Sequence, residues 1–367
     1  MKDMKSSTRL KYFDMAKGIG IFLVILGHLQ GEQFFNLIPF LAPMCVWIFS
    51  FHMPLFFIIS GMLIKYKEDT KKDMFSLISK RFKGIMVPYL WFSLFYYLIV
   101  VYAYISGNVG SDTLFTQAYY IFSLYGMSVL WFLPALFIGE LLFLFLIKKF
   151  GGKITAIFVT CLTTIATTLN FLLKNVSCET YVQERLCELA VTLLRPIFVC
   201  SFVALGYLIF SFFKQREKAS LSELAIGLAM ILANVFLHKL NGSVDFRSLV
   251  IGNPLLYYIC ALLGSVGLIL VCKNIPNIKP VSAFGESSLI VMAVHNNETI
   301  LYLGMKLSMY VNQFITRAKG YISYLVVVLF ILVFCIIMIY LINHFFGFII
   351  GKPSPFDRLF RRCKTEK

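Results

Sequence analysis

Charge is scarce in this chain. Asp, Glu, Lys and Arg make up 14% of its 367 residues, against about a quarter in an ordinary soluble domain. A disordered chain needs low hydrophobicity, yet 59% of these residues are hydrophobic and the mean hydropathy is +0.81. A water-soluble globule and a disordered chain are both excluded. The nine cysteines contain no Cys-x-x-Cys pair, which argues against a zinc ribbon or a thioredoxin-like redox site. Gly-x-Ser-x-Gly, His-Glu-x-x-His, the P-loop pattern and a complete Gly-x-Gly-x-x-Gly are also missing. An esterase elbow, a zincin, a P-loop pump and a Rossmann site therefore have no support. The apolar run near the N-terminus lacks a small-residue cleavage site and is not read as a secretory signal.

What remains is a polytopic membrane protein. A span needs about 20 mostly apolar residues. Ten stretches qualify, at roughly 13–30, 39–64, 84–105, 129–147, 154–173, 191–213, 220–237, 253–272, 281–304 and 322–346. The expected fold is all-α, a membrane helical bundle of about ten transmembrane helices, in the plasma or inner membrane. The expected organisation is one membrane domain over 1–350 and a short basic tail over 351–367.

Lys and Arg number 34 against 18 Asp and Glu, a net charge of +16. In a soluble protein that excess would suggest nucleic acid. In a membrane protein it first marks the cytoplasmic loops. With the N-terminus placed inside, 26 of the 34 fall on the cytoplasmic side and 8 on the other. Both termini are therefore expected in the cytoplasm, with lipid rather than nucleic acid as the partner. The longest basic loop, 65–83, reads either as topology signal drawn to anionic lipid or as a surface for an anionic cytosolic ligand. Cys178 and Cys187 share one expected outside loop, where oxidising conditions would allow a disulfide. No metal site and no oligomer is indicated.

Ionisable groups within spans are expensive and are functional candidates by default. Asp14, His28, His52, Glu140 and His295 are such groups. Lys17 and His28 lie eleven residues apart, which puts both on one helix face about 16 Å apart along the axis. They are too distant for a salt bridge but suited to the two ends of one long ligand. Asp14 and Lys17 are i,i+3 neighbours, and a local ion pair is the plain reading. His28 alone reads equally as a satisfied core histidine. In Phe51-His-Met-Pro54, proline is expected to kink or unwind the helix. His52 then either lines a cavity or hydrogen-bonds a freed carbonyl. Trp131 fits an aromatic anchor at the outer interface, and Pro134 suits the first turns of its helix. Glu140 and His295 each need a partner, which polar contacts between spans would also supply.

These residues together resemble the acyltransferase-3 family of integral membrane acyltransferases, within it the fucose 4-O-acetylase-like branch. The resemblance rests on Tyr12-Phe-Asp14, on Lys17 with ten residues before His28, and on Phe51-His-Met-Pro-Leu-Phe-Phe with Ser60-Gly61. It continues through Lys80-Arg81-Phe-Lys-Gly-Ile-Met-Val-Pro88-Tyr89, Trp131-Phe-Leu-Pro-Ala-Leu-Phe and His295. It implies a ten-span transferase with a histidine at the reaction centre. The enzyme would move an acyl group, by default acetyl, from cytosolic acyl-CoA to a hydroxyl of a cell-surface or lipid-linked carbohydrate. Acetyl-CoA is then a co-substrate, and no cofactor is held permanently. The family's basic-x10-His element falls on Lys17 and His28, so His28 is the expected catalytic residue. Its Arg-x-x-Arg element falls on Arg81, with Gly84 at the second arginine. Lys83 and Lys80 are the nearest cations there, and neither reproduces a bidentate guanidinium. Lys17, Arg81 and Lys83 are the expected acyl-donor contacts. Asp14, His52, Ser60, Trp131, Glu140 and His295 are expected supporting or cavity-lining groups, with Glu140 or His52 orienting His28. A transporter or flippase for a glycan or small solute is the alternative, since kinked spans with buried polar groups suit that too.

Overall fold

A computed structural model describes residues 9–29, 38–213, 219–314 and 319–352. The expected basic tail lies outside the described residues from 353 onward, as does residue 30 of the first expected span. Among the described residues the fold is all-α, broken only by one isolated antiparallel bridge between Asp245 and Val250. The helices are α1 (Lys11–His28), α2 (Leu41–Phe49), α3 (His52–Tyr66), α4 (Met74–Arg81), α5 (Val87–Ile105), α6 (Ser111–Phe122) and α7 (Phe132–Lys174). They continue with α8 (Tyr181–Ile209), α9 (Leu221–Asn241), α10 (Pro254–Asn274), α11 (Lys279–Glu286), α12 (Ser288–Val294), α13 (Glu298–Asn312) and α14 (Lys319–His344).

Seven helical segments among the described residues are long and apolar enough to cross a membrane. They are Leu41–Tyr66, Met74–Ile105, Ser128–Lys174, Tyr181–Phe212, Leu221–Asn241, Pro254–Asn274 and Gly320–His344. Eight of the ten expected spans fall inside them, because Ser128–Lys174 holds two. Gly151 separates those two with φ 72° and ψ 178°, a conformation open to glycine and strained for other residues. The first expected span forms an 18-residue helix, α1, with Lys11, Asp14 and Lys17 in its opening turns. The ninth is not one helix. It is divided into α11, α12 and α13 by breaks at Ser287 and at His295–Asn297, where Asn297 caps α13 through the Thr299 and Ile300 amides.

Small residues bring the helices that carry the site into close contact. Gly18 of α1 lies against the backbone of Val281 in α11, and Gly285 against the backbone of Asp14. Gly61 of α3 faces Val203 of α8 in the same way, and Gly206 faces Ile58. A methyl group at any of these four positions would meet backbone atoms that cannot move aside. The broken ninth segment is thus fixed against α1, and α3 against α8. Aromatic rings of Phe57, Phe132, Phe202, Phe246 and Tyr257 fill the space between α3, α7, α8 and α10.

Candidate active site

Three chain breaks bring three of the five histidines together. His28 is the last residue of α1. His52 is the first residue of α3, after a break at Ser50 and Phe51. His295 closes α12, just before the second break in the ninth segment. The His28 and His295 rings are 5.2 Å apart between centroids. Phe49 stands between the other pair, 5.9 Å from His28 and 4.9 Å from His52.

Pro54 does not kink its helix as the sequence suggested. It is the third residue of α3, where a helix has no use for the missing N–H. The break lies upstream, and it frees carbonyl groups that need donors in an apolar interior. Nδ1–H of His52 donates to the Ile48 carbonyl at 2.9 Å, so His52 both lines the cavity and serves the broken backbone. Nδ1–H of His295 donates to the carbonyls of Val291 and Met292 at 3.0 and 2.9 Å. Those bonds fix the tautomer, leaving a lone pair on Nε2. The His295 Nε2 atom is buried and makes no hydrogen bond among the described residues.

The three histidines line a chamber of about 260 Å³ with Ser128, Trp131, Asp245, Arg247 and Asn296. A second cavity of about 210 Å³ adjoins it, and the two share Val24, Met53 and Met292 as walls. This corridor is apolar apart from Lys17, Ser60, Glu140 and Ser288. Lys17 and Leu63 also line a third cavity of about 370 Å³, bounded by Arg9, Asp14, Tyr66 and Lys67. A basic vestibule, an apolar corridor and a histidine chamber thus follow one another along α1, from Lys17 to His28.

At the vestibule Asp14 is held by Arg9, at 2.6 Å, and by Lys17, at 2.8 Å. The local ion pair expected from the spacing is therefore present. Burial, reinforced by the Lys80 charge nearby, pushes the Lys67 ammonium below the usual lysine value. Sequence reasoning counted Lys67 only as one charge of a basic loop.

Several expected residues sit elsewhere. Glu140 does not orient His28. It accepts a hydrogen bond from Ser60 and an ion pair from Arg81 Nε at 2.5 Å, within the corridor. Arg81 also pairs with Asp69 at 3.0 Å and lines neither corridor nor vestibule. Burial by itself would push the Asp69 carboxyl up, but hydrogen bonds from Lys72 and Arg81 hold it below its ordinary value. Lys83 is exposed and also lines no part of the path. Gly84, at the position of the family's second arginine, has open space around it in the π-helical turn Phe82–Met86. Trp131 is not an interfacial anchor. It is 7% exposed, stacked on Phe246 at 5.8 Å and lying under the Arg195 guanidinium at 5.1 Å. Cys178 and Cys187 lie side by side, with their Sγ atoms 3.0 Å apart.

Arg195, Asp245 and Arg247 were not singled out from the sequence. Arg195 is 1% exposed and donates to the carbonyls of Tyr125 and Arg247 at 3.2 and 2.6 Å. Its position near the start of an apolar stretch was the available signal, because a buried arginine in a span demands a reason. Asp245 and Arg247 gave no signal, since they fall in the short connection between two expected spans.

A family model described as an acyltransferase domain matches residues 10–344. Nodulation protein NolL of Mesorhizobium japonicum is 34% identical over 137 residues, covering 35% of this chain and 34% of that protein. The chain thus matches about a third of that curated relative's length. No solved structure matches.

Proposed function

The chain belongs to the acyltransferase-3 family of multi-pass membrane acyltransferases, and from that premise we propose that it moves an acetyl group from cytosolic acetyl-CoA to a carbohydrate hydroxyl, with His28 at the reaction centre. Membership favours the enzyme over the transporter alternative. The observation that carries the finer reading is the row of three adjoining cavities, with shared walls, from a basic vestibule to a chamber holding paired histidines.

The chemistry follows from the order of the cavities. Phosphates of the donor meet Lys17 and Lys67, where charge-assisted contacts are strong. The pantetheine arm occupies the apolar corridor, which α1 lines from Lys17 to Val24 before the chamber at His28. The thioester carbonyl then enters the histidine chamber. His28 removes the proton as the acceptor oxygen bonds to the carbonyl carbon. The tetrahedral intermediate collapses, the carbon–sulfur bond breaks, and the CoA thiolate takes the proton back from His28. His295 supports the imidazolium through the lone pair on Nε2. Ser60, Glu140 and Arg81 brace the corridor wall. NolL, the relative named above, lends its family but not its substrate, and the carbohydrate acceptor is part of the proposal.

The experiment is composition analysis of surface glycans from cells with and without the gene. Loss of base-labile O-acetyl groups, restored by the wild-type gene and not by His28→Ala, supports the reading. Unchanged O-acetyl content overturns it.

A further inference from the structure

The segment between α9 and α10 turns part of its side chains into the protein, while Asp245 and Val250 stay exposed. Val244, Phe246, Leu249 and Ile251 are all buried. Asp245 and Val250 exchange backbone hydrogen bonds at 2.7 and 2.8 Å, closing a tight turn. Three side chains staple it: Asn170 of α7 to the Leu249 carbonyl at 2.9 Å, Arg195 of α8 to the Arg247 carbonyl at 2.6 Å, and Asn241 at the end of α9 to the Ile251 carbonyl at 3.0 Å. Leu249 is held at φ 53°, a region that L side chains adopt only under constraint. Strain of this kind persists where surrounding contacts over-determine the backbone, and it concentrates at functional sites.

This construction presents two charged side chains to the histidine chamber, Asp245 and Arg247. Nε of Arg247 is buried and has no hydrogen-bond partner among the described residues. Both residues lie away from the corridor: neither lines it, and neither lines the basic vestibule. Asn296 completes the polar wall. A guanidinium donates, a carboxylate accepts and an amide does both. That set matches neighbouring hydroxyls of a polyol, each of which donates and accepts.

We propose that the inward turn Val244–Ile251 is the acceptor-reading element of the enzyme, with Asp245 and Arg247 hydrogen-bonding hydroxyls of a carbohydrate ring and aiming another at His28. The inference rests on the acyl-transfer reading above and assigns it an acceptor subsite. Arg195 is a positioning residue, acting through the Arg247 carbonyl. A site built to pair hydroxyls rejects partners that lack them, because polar groups desolvated by the ligand, the buried Arg247 Nε among them, would stay unpaired. The turn therefore also disfavours an acceptor with a single hydroxyl.

The test uses full-length protein in nanodiscs and cells carrying each variant as the sole copy. Titration calorimetry with CoA reads the donor end. Radiolabel transferred from acetyl-labelled acetyl-CoA to the surface-glycan fraction reads the acceptor end. Asp245→Asn and Arg247→Lys keep shape or charge so that the turn still folds, which an unchanged melting temperature verifies. Each is expected to lower glycan labelling about 10- to 100-fold, with CoA affinity within about twofold of wild type. Labelling within about twofold of wild type in both variants overturns the proposal, and so does a parallel loss of CoA affinity. His28→Ala is the separate arm. Normal labelling there, with loss in Asp245→Asn, overturns the reaction centre while leaving the turn in place.

Discussion

The imidazoles of His28 and His295 lie 5.2 Å apart between ring centroids, one at the end of the first helix and the other beside a break late in the chain. Two carbonyls hold Nδ1 of His295, and Nε2 is left facing the shared chamber. This pairing suits proton transfer at one carbon centre, because the His295 ring is fixed through Nδ1 and keeps a basic lone pair on Nε2.

His295→Gln retains a side-chain amide and removes the basic lone pair. Its turnover with acetyl-CoA should fall about 100-fold or more, the range for a removed acid–base group. CoA affinity should stay near wild type. The His28→Ala, His295→Gln double variant should lose little beyond His28→Ala alone, because groups acting as a unit are not additive. Initial rates at saturating acetyl-CoA make the comparison.

Lys17→Ala and Lys67→Ala should each weaken CoA binding about tenfold or more, since each loses a charge-assisted contact to phosphate. Lys83→Ala, at an exposed position away from the path, should change it less than twofold. Calorimetric titration with CoA at two salt concentrations checks this, and the wild-type affinity should fall with salt.

Arg81 and Glu140 form a buried pair, with side chains 10% and 8% exposed. Removing one partner leaves a charge uncompensated and costs about 3–5 kcal/mol. Arg81→Met and Glu140→Leu should therefore each lower the melting temperature strongly. The double variant should recover much of that loss, although Asp69 then still lacks its Arg81 contact. Thermal melts of the four proteins complete the cycle.

Cys178 and Cys187 are placed for disulfide formation once an oxidant is present, with Sγ atoms 3.0 Å apart. On intact cells a membrane-impermeant maleimide should label Cys178 only after reduction. Non-reducing peptide mapping should recover the two peptides joined. Labelling without prior reduction would show that the thiols stay free, and no labelling from outside would reverse the expected orientation.

Much of this arrangement is legible in the chain. Apolar run length gave the helices, and the Lys17–His28 interval gave the two ends of the path. His52 was marked by its place in a charge-poor helix. The break at His295 was not legible: 281–304 has the length and apolarity of a span, and the short caps at Ser287 and Asn297 are local signals that hydropathy averages away. Arg247 and Asp245 were missed for another reason. Nothing in the connection 242–253 records that Asn170 and Arg195, distant in sequence, hold it in place together with Asn241 at the end of α9. Glu140 was recognised as needing a partner, but Arg81 became that partner only in three dimensions.

The most direct test of the account is the initial rate of acetyl transfer to the surface-glycan fraction by purified His28→Ala, compared with wild type at equal protein and saturating acetyl-CoA. The rate should fall at least about 100-fold, while CoA affinity and melting temperature stay at wild-type values. A variant that transfers acetyl at the wild-type rate would contradict the assignment of His28 as the reaction centre.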